Sequence, residues 1–281
     1  MKILRDIGNQ MKMDLELKGF SPKTQDAYIA HAKRFVKYFM KSPIDMGEAE
    51  IKEYLYYLIS ERKLSSSYIN TTYSALKFLY ETTLKRQWDM KSIPRTKKAK
   101  RLPIVLSKDE VKRIINVTTN LKHKTILATT YAAGLRVSEA AHLKVTDIDS
   151  SNMQIRIEQG KGKKDRYTLL SKKNLEILRE YYKLYHPTTY LFPGGQYDKS
   201  IDTRTIQRIF EKAKKKAAIK KAVTVHSLRH SFATHLLEAG TDIYHIQQLL
   251  GHSNVKTTSI YIHLTNHQAL KLESPLDSLI S

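Results

Sequence analysis

The feature that most constrains the fold is a basic segment, residues 91–103 (KSIPRTKKAKRLP). Six of its first eleven residues are Lys or Arg, none is acidic, and Pro94 and Pro103 bracket it. Prolines interrupt regular structure, and a run of like charges is usually solvated. The segment therefore predicts a linker between two separately folded domains, residues 1–90 and 104–281. A flexible basic linker could also pass over a polyanion, and a merely solvated connection is the less favoured alternative.

The first domain is predicted to consist of helices. Ser21 and Pro22 are a favourable N-cap and first-turn pair, and the helix that follows places apolar residues at helical spacing. Further helices are predicted over residues 1–18, from about Glu48 to Arg62 and from about Ser65 to Lys85. No strand pattern occurs before the basic segment, so we expect a small helical domain.

The second domain combines helices with two short strands. Residues 153–158 alternate with period two, and residues 166–170 return after a turn that holds Lys161 between two glycines. Helices are predicted at about Lys122 to Ala133, at residues 172–185 and at about Thr203 to Ala218. The predicted fold class is therefore mainly α with a small antiparallel β-sheet (α+β).

The net charge of the chain indicates the kind of partner. Its 281 residues carry 49 Lys and Arg against 27 Asp and Glu, a formal net charge of +22. Such an excess makes a polyanion, and first of all nucleic acid, the expected partner, although a solubilising surface would give the same count. The sequence has no Cys, no apolar stretch long enough to span a bilayer and no lipidation signal. We expect a cytoplasmic, nucleoid-associated protein without a membrane partner.

The strongest chemical signal lies in residues 225–264. His226 and Arg229 are three residues apart, so they share one face of a predicted helix. His252 directly follows a helix-ending glycine, and Tyr261 comes nine residues later. In a very basic chain, these residues suggest a site that holds a phosphate and supplies a nucleophile to attack it.

Two cations from other parts of the second domain complete this set. Arg136 is expected where a buried helix ends and a new helix, capped by Ser138, begins. An Arg so near a core calls for an anionic partner, which is either Glu139 or a ligand. Lys161 is expected to reach from a hairpin tip into a groove. The GKGKK sequence around it does not have the spacing of a Walker motif.

The six residue types fit the chemistry of a phosphodiester. Two guanidiniums can clamp the non-bridging oxygens and stabilise the extra charge of the transition state. A Lys can protonate the leaving oxygen, and a His can accept a proton from the attacking group or hydrogen-bond to it. A Tyr hydroxyl is then the nucleophile, and nearby cations would favour its ionisation.

A metal site is the weaker interpretation of the histidines. His226, His230 and His235 could be ligands, but the chain has no Cys and no HExxH motif. His226 also belongs to the His-x-x-Arg pair. His230 and His235 are instead expected to be core-edge or helix-packing groups, so we expect no metal and no cofactor.

Five motifs together resemble the tyrosine recombinase (phage integrase) family. The segments AGLRVSE, QGKGKKDR, HSLRHSFATHLLEAG, LLGH and TTSIYIH occur in the family's order, and the resemblance is nearest to the Xer and integron-integrase branches. It implies a helical core-binding domain, a basic linker and a catalytic domain with a C-terminal tail. It also implies site-specific recombination through a 3′-phosphotyrosine and a Holliday junction, without metal or nucleotide.

The resemblance assigns a role to each candidate. The two arginines would bind the phosphate, the hairpin lysine would be the general acid, the two histidines would line the site, and the tyrosine would be the nucleophile. Glu139 matches an acid that supports the site. Tyr244 is the alternative nucleophile, and Lys163 or Lys164 the alternative acid. In chain order the candidates are Arg136, Lys161, His226, Arg229, His252 and Tyr261.

The resemblance also implies partners. A double-stranded DNA core site with inverted repeats is expected, with a dimer on each site and a homo-tetramer on two duplexes. The resemblance leaves open whether accessory proteins also take part. About 65 residues separate Lys161 from His226, which leaves no room for the inserted segment of integron integrases and favours a Xer-like duplex site. Apolar tail residues are expected either to dock on a neighbouring protomer or to fold back: Leu270, Leu272, Leu276, Leu279 and Ile280.

Two other functions use some of the same features. A type IB topoisomerase would apply the same chemistry to one duplex. A DNA-binding protein without catalysis would need only the basic surface. The complete set of six residues favours the recombinase.

Overall fold

The computed structural model describes residues 2–87, 95–96, 102–158, 165–195, 199–262 and 264. By its internal contacts the chain divides into two compact units, Met1–Lys100 and Arg101–Ser281. We call these the N-terminal unit and the C-terminal unit. None of the helices within the described ranges is long and apolar enough to cross a membrane.

The N-terminal unit is built from helices. They are α1 (Lys2–Leu17), α2 (Pro22–Phe39), α3 (Glu48–Ser60) and α4 (Ser66–Phe78), which continues as a π-helical turn, Leu79–Thr83. Ser21 caps α2, because its Oγ accepts a hydrogen bond from the Thr24 backbone N–H at 3.3 Å. Ser65 caps α4 in the same way through the Tyr68 N–H. The predicted helices are present, although α3 and α4 end earlier than predicted.

The core of the N-terminal unit combines aromatic rings with a neutral polar pair. Phe35 is fully buried and meets Tyr54 edge-on, with 5.4 Å between the ring centroids. Thr72 Oγ1 lies 2.8 Å from His31 Nδ1, and both side chains are buried. Burial lowers the pKa of His31, and the charge of Arg34 lowers it further. His31 is therefore a neutral partner for the Thr72 hydroxyl.

The C-terminal unit packs helices around a small sheet. Its helices are α5 (Lys108–Asn116), α6 (Leu121–Ala132), α7 (Val137–His142), α8 (Lys172–Tyr185), α9 (Thr203–Lys216), α10 (His226–Glu238), α11 (Ile243–Leu250) and α12 (Val255–Thr258). The antiparallel sheet has the order β1 (Ile148–Asp149), β2 (Gln154–Ile157), β3 (Arg166–Leu169). Ile155 of β2 pairs with Ile148 on one side and Thr168 on the other. The predicted fold class is confirmed. The sequence did not predict β1, because two residues are too few to show alternation.

The starts of α5 and α7 are capped in different ways. Ser107 Oγ accepts from the Glu110 N–H at 3.2 Å, and Glu110 Oε2 accepts from the Ser107 N–H at 2.7 Å, which confirms the predicted capping box. The predicted Ser138 cap is wrong, since Arg136 occupies the N-cap position of α7. Its backbone N–H donates to Glu139 Oε2 at 2.8 Å. The carboxylate satisfies a free N–H at the helix start, so the helix begins earlier than predicted.

Two glycines allow close contacts at the C-terminal ends of α6 and α11. Gly134 follows α6 with φ of +60°, and a Cβ there would lie 2.3 Å from Phe232 Cδ1 of α10. Gly251 follows α11 with φ of +61°, and a Cβ there would lie 2.6 Å from Arg166 Cδ of β3. Only glycine combines this backbone conformation with so little space. Helix α10 and strand β3 can therefore pack directly against the ends of α6 and α11.

Candidate active site

Arg229 lies at the centre of the site and is only 1% exposed. Its Nη1 donates to Gly134 O at 2.7 Å, and its Nη2 donates to Leu250 O at 2.6 Å. These carbonyls belong to the C-terminal ends of α6 and α11, where free carbonyl groups carry partial negative charge. Burial, followed by the charge of Arg136, lowers the pKa of Arg229 to about 9. The guanidinium is thus fixed in place and still a cation at neutral pH.

Glu139 is the anion that holds the neighbouring arginines. Its Oε1 accepts from Arg136 Nη1 at 2.6 Å and from Arg166 Nη1 at 2.8 Å, and its Oε2 accepts from Arg166 Nη2 at 2.7 Å. Arg229 Nη1 is 3.7 Å from Oε2. Burial by itself would raise the pKa of Glu139, but Arg166 and then Arg136 lower it to about 2. One carboxylate therefore stands among three guanidiniums, and the excess positive charge favours an anionic ligand.

Arg136 is the more accessible of the two predicted phosphate-binding arginines. Its side chain is 19% exposed, against 1% for Arg229. Besides its bond to Glu139, it donates from Nη2 to Gly251 O at 3.3 Å. An entering anion can contact Arg136 directly, whereas Arg229 contributes its charge from below the surface.

Arg166 also belongs to this cluster, although it is not among the residues predicted from the sequence. It begins β3, and its Nε donates to Leu249 O at 2.9 Å while its two Nη atoms hold Glu139. It thereby connects the sheet to α7 and α11. The signal that could have found it is its place as the last residue of the QGKGKKDR motif.

Both ring nitrogens of His252 are engaged. Its Nε2 lies 3.1 Å from Arg229 Nη2, and its Nδ1 lies 2.9 Å from Thr258 Oγ1. A guanidinium only donates hydrogen bonds, so Nε2 must be the acceptor and Nδ1 must carry the proton. Burial, then Arg229 and Arg136, lowers the pKa of His252 to about 3. The ring is thus neutral and held in one tautomer.

His226 begins α10 and is exposed at the edge of the cluster. Its ring lies edge-on to that of His230, with 4.6 Å between the centroids. Loss of hydration around the ring, followed by the charges of Arg229 and Arg136, lowers the pKa of His226. His226 is therefore a neutral, accessible imidazole beside the arginines.

Tyr261 ends the short 3-10 turn after α12, and it is 1% exposed. Its Oη lies 3.1 Å from His230 Nδ1, and its ring lies nearly parallel to that of His252, with 6.5 Å between the centroids. Burial raises the pKa of Tyr261, while the charges of Arg229 and Arg136 oppose that rise. The predicted nucleophile is therefore buried within the cluster.

His230, expected to be a core-edge or helix-packing group, also contacts the Tyr261 hydroxyl through its Nδ1. The expectation for His235 agrees with the structure: its Nδ1 lies 2.9 Å from the Oη of Tyr131, on the buried helix α6. Among the described residues, no group of three or more His, Asp or Glu side chains is arranged to hold a metal ion.

The structure brings five of the six predicted residues into one cluster: Arg136, His226, Arg229, His252 and Tyr261. The sixth, Lys161, lies outside the described residues, as do the alternatives Lys163 and Lys164. Strands β2 and β3 pair with each other, with Ile157 opposite Arg166. The alternative nucleophile Tyr244 is 61% exposed on α11.

Both units of the chain match known protein families. The Phage integrase family matches residues 105–268, and the phage integrase N-terminal SAM-like domain matches residues 7–90. An integrase/recombinase of Sinorhizobium fredii is 42% identical over 278 residues, covering 99% of this chain and 90% of its own length. Tyrosine recombinase XerA of Pyrococcus horikoshii is 35% identical over 267 residues, covering 92% of this chain and 90% of its own length.

Solved structures share the fold. The crystal structure of XerA recombinase matches with a TM-score of 0.55 at 31% identity, covering 95% of this chain and 96% of its own. A lambda integrase tetramer bound to a Holliday junction matches with a TM-score of 0.76 at 18% identity, covering 97% of this chain and 79% of its own. At the lower identity the likeness concerns the fold alone.

A mainly helical fold with a small sheet, and a cluster of arginines and histidines around a buried tyrosine, define the class of tyrosine recombinases. The chain belongs to the phage integrase family within that class. The predicted enzyme class, a site-specific DNA recombinase, is confirmed.

Proposed function

We propose that the chain cuts and rejoins double-stranded DNA at a core site through a covalent bond to Tyr261. The observation that carries this proposal is the meeting of Arg136, Arg229, His252 and Tyr261, which come from four separate segments, in one cluster. Two guanidiniums beside a tyrosine hydroxyl are the groups that a phosphodiester needs for attack by an oxygen nucleophile. Tyr261 is the proposed nucleophile because it alone of the two candidate tyrosines lies within this cluster.

In the proposed reaction, the Tyr261 oxygen loses its proton and attacks the phosphorus. A bond from Oη to phosphorus forms while the bond to the 5′ oxygen breaks, which gives a 3′-phosphotyrosine and a free 5′-hydroxyl. Arg136 and Arg229 stabilise the added negative charge of the transition state. Lys161 donates a proton to the leaving oxygen. The role of Lys161 rests on its motif, since it lies outside the described residues.

Rejoining is the same step in reverse on a partner strand. The 5′-hydroxyl of another strand attacks the phosphotyrosine, and the Tyr261 oxygen leaves and regains its proton. Exchange of one pair of strands gives a Holliday junction, and exchange of the second pair resolves it. Because one phosphodiester linkage is exchanged for another, the proposed reaction needs no metal ion and no nucleotide.

The proposed partners follow from the charge of the chain and from its relatives. A formal net charge of +22 supports duplex DNA as the partner and the nucleoid as the place of action. XerH has been crystallised on palindromic difH substrate, and lambda integrase as a tetramer on a Holliday junction. We propose an inverted-repeat core site with a dimer per site and a homo-tetramer on two duplexes. The tail expected to join protomers, residues 265–281, lies outside the described residues.

The test is covalent capture of DNA by the full chain. A pool of nicked duplexes of randomised sequence is incubated with the protein, because a nick lets the short cleaved fragment diffuse away and traps the covalent complex. Adducts that survive denaturation are recovered, and their sequences define the core site. We expect the native chain to form adducts on sequences with an inverted repeat, and Tyr261→Phe to form none.

Tyr244→Phe is the matched control, since it removes a hydroxyl from an exposed tyrosine outside the cluster. It should form adducts at the native rate. Adducts that persist in Tyr261→Phe, or that vanish in Tyr244→Phe, would show that the nucleophile is wrongly assigned. DNA binding without any adduct would favour a binding protein without catalysis.

Two further measurements separate the remaining interpretations. Relaxation of supercoiled plasmid without a specific site would favour a topoisomerase, whereas strand exchange between two copies of the recovered site would favour the recombinase. Binding to the recovered duplex should weaken steeply as salt rises, because each neutralised phosphate releases counterions. A binding constant that is flat in salt would contradict the role of the basic charge.

A further inference from the structure

The hydroxyl of Tyr261 has a hydrogen-bonding partner outside the predicted set. His230 Nδ1 lies 3.1 Å from Tyr261 Oη, one helical turn along α10 from His226. Neither of the two histidines that the motifs indicate has this contact in the structure: His252 bonds to Arg229 and Thr258, and His226 is exposed at the start of α10. This geometry raises the question of which histidine receives the tyrosine proton.

His252 is poorly suited to that role. Its Nε2 must accept from Arg229, because a guanidinium only donates, and its Nδ1 donates to Thr258 Oγ1. Neither nitrogen is left with a lone pair for a second proton unless the Arg229 contact breaks. His252 therefore supports Arg229, which leaves the proton of Tyr261 to another group.

We propose that His230 is a catalytic residue, the general base that takes the proton from Tyr261 Oη as this oxygen attacks the phosphodiester. This inference rests on the proposed function, in which Tyr261 is the nucleophile. The proton moves from Oη to Nδ1 while the bond from Oη to phosphorus forms and the bond to the 5′ oxygen breaks. In the rejoining step the same proton returns from Nδ1 to the departing tyrosine oxygen.

The charges around His230 explain how bound DNA would make this histidine more basic. Burial, then His226 and Arg229, lowers the pKa of His230 to about 4, so the ring is neutral and has a lone pair to offer. A bound phosphate would offset the charge of Arg229 and make His230 more basic. The tyrosine oxygen also becomes far more acidic as it bonds to phosphorus. Proton transfer is therefore expected within the transition state and only when a phosphate is present.

The sharpest test replaces His230 with Asn. An Asn side chain places an amide group close to the position of Nδ1, so it can keep a hydrogen bond to Tyr261 Oη but cannot take up a proton. His235→Asn is a matched control, because His235 lies on the same helix and also contacts a tyrosine hydroxyl, that of Tyr131, through its Nδ1 at 2.9 Å. The pair separates loss of a base from loss of an imidazole in α10.

The measurement is the single-turnover rate of adduct formation on the nicked duplex recovered by covalent capture. We expect His230→Asn to slow this rate by about 100-fold, in the range typical for loss of a general base, while binding to the same duplex stays near native. The rate of adduct formation by His235→Asn should stay within about threefold of the native rate, because no general base is lost. His230→Asn at the native rate would overturn the proposal. If His230→Ala forms adducts faster than the native chain, His230 only restrains the tyrosine before DNA binds, and the proposal is also overturned.

A second substrate distinguishes a base from an acid. The same duplex with sulfur in place of the bridging 5′ oxygen has a leaving group that needs no proton. This substrate should restore adduct formation to Lys161→Ala but leave His230→Asn slow, because the tyrosine still has to lose its proton. Restoration of His230→Asn by the sulfur substrate would assign His230 to the leaving group and overturn the proposal. Adducts that persist in Tyr261→Phe would instead refute the proposed function, so the two failures are distinguishable.

Discussion

The two units of the molecule bury their polar side chains in contrasting ways. The N-terminal unit buries a neutral pair, Thr72 and His31, within a largely apolar and aromatic core. The C-terminal unit buries the guanidinium of Arg229, 1% exposed, against helix-end carbonyls and beside Glu139. A buried charge is costly unless it is paired and hydrogen-bonded. The contrast indicates that the C-terminal unit gives up stability to hold positive charge in the proposed phosphate-binding site.

The largest expected effect comes from removing the anion of the buried cluster. Glu139→Ala would leave Arg136, Arg166 and Arg229 without their shared carboxylate, so we expect a loss of about 3–5 kcal/mol in the free energy of unfolding of the C-terminal unit. The matched change in the N-terminal unit is Glu48→Ala, where Glu48 and Lys52 are about half exposed and 4.0 Å apart. Its expected loss is within about 0.5 kcal/mol.

Both losses of unfolding free energy are measured by denaturant unfolding of the full chain, monitored through hydrogen exchange in peptides from each unit. The same assay reports which unit is destabilised. Equal losses for Glu139→Ala and Glu48→Ala would contradict the contrast between the units.

A smaller effect is expected from two glycine substitutions. Gly134→Ala and Gly19→Ala both place a side chain at positive φ, +60° and +70°, which costs about 1–2 kcal/mol. At Gly134 the new Cβ would also collide with Phe232, whereas nothing lies within 4 Å of the Cβ position at Gly19. We expect about 1–3 kcal/mol of further loss at Gly134 alone, measured by the same unfolding assay. Similar losses at both positions would mean that α10 moves away from α6 without cost.

Acid should destabilise the C-terminal unit more than the N-terminal unit. The pKa values of His230 and His252 are lowered to about 4 and about 3, so below the ordinary value of 6.5 the unfolded state binds protons that the folded state does not. Stability is therefore present above pH 6.5 and is lost as the pH falls towards 4. Each of these histidines would contribute up to about 1.4 kcal/mol per pH unit.

In the N-terminal unit, His31 is the described histidine with a lowered pKa. The unfolding free energy of this unit should therefore fall less steeply with decreasing pH than that of the C-terminal unit. Urea unfolding with peptide-level hydrogen exchange, at several pH values between 7.5 and 5, measures the two slopes. A steeper slope in the N-terminal unit would be inconsistent with neutral histidines in the site.

The smallest expected effects come from a matched pair of threonines. Thr72→Val and Thr258→Val each remove a buried hydroxyl that bonds a histidine nitrogen, His31 Nδ1 at 2.8 Å and His252 Nδ1 at 2.9 Å. Each should cost about 1 kcal/mol of stability. Only Thr258→Val should also slow adduct formation, by about tenfold, because it frees the ring that supports Arg229. A comparable slowing in Thr72→Val would show that the neutral pair also serves catalysis.

Much of the fold was open to prediction because its signals are local. The capping box of Ser107 and Glu110 and the Ser21-Pro22 start involve residues within one turn of each other. The start of α7 was misplaced because a carboxylate, Glu139, took the role expected of Ser138. Strand β1 was missed because its two residues are held by pairing with β2, which no short window of sequence displays.

The sequence by itself predicted most of the groups of the proposed site, but not Arg166 or the contact of His230 with Tyr261. The motif order and the three-residue spacing of His226 and Arg229 were enough to name the arginines, the two histidines and Tyr261. Tertiary structure decided which of these groups are in contact. Arg166 and Glu139 meet across 27 residues, and Tyr261 reaches His230 across 31. Such contacts depend on how helices and turns pack against one another. Their distances, burial and charge arise only when separated segments share one low-dielectric space.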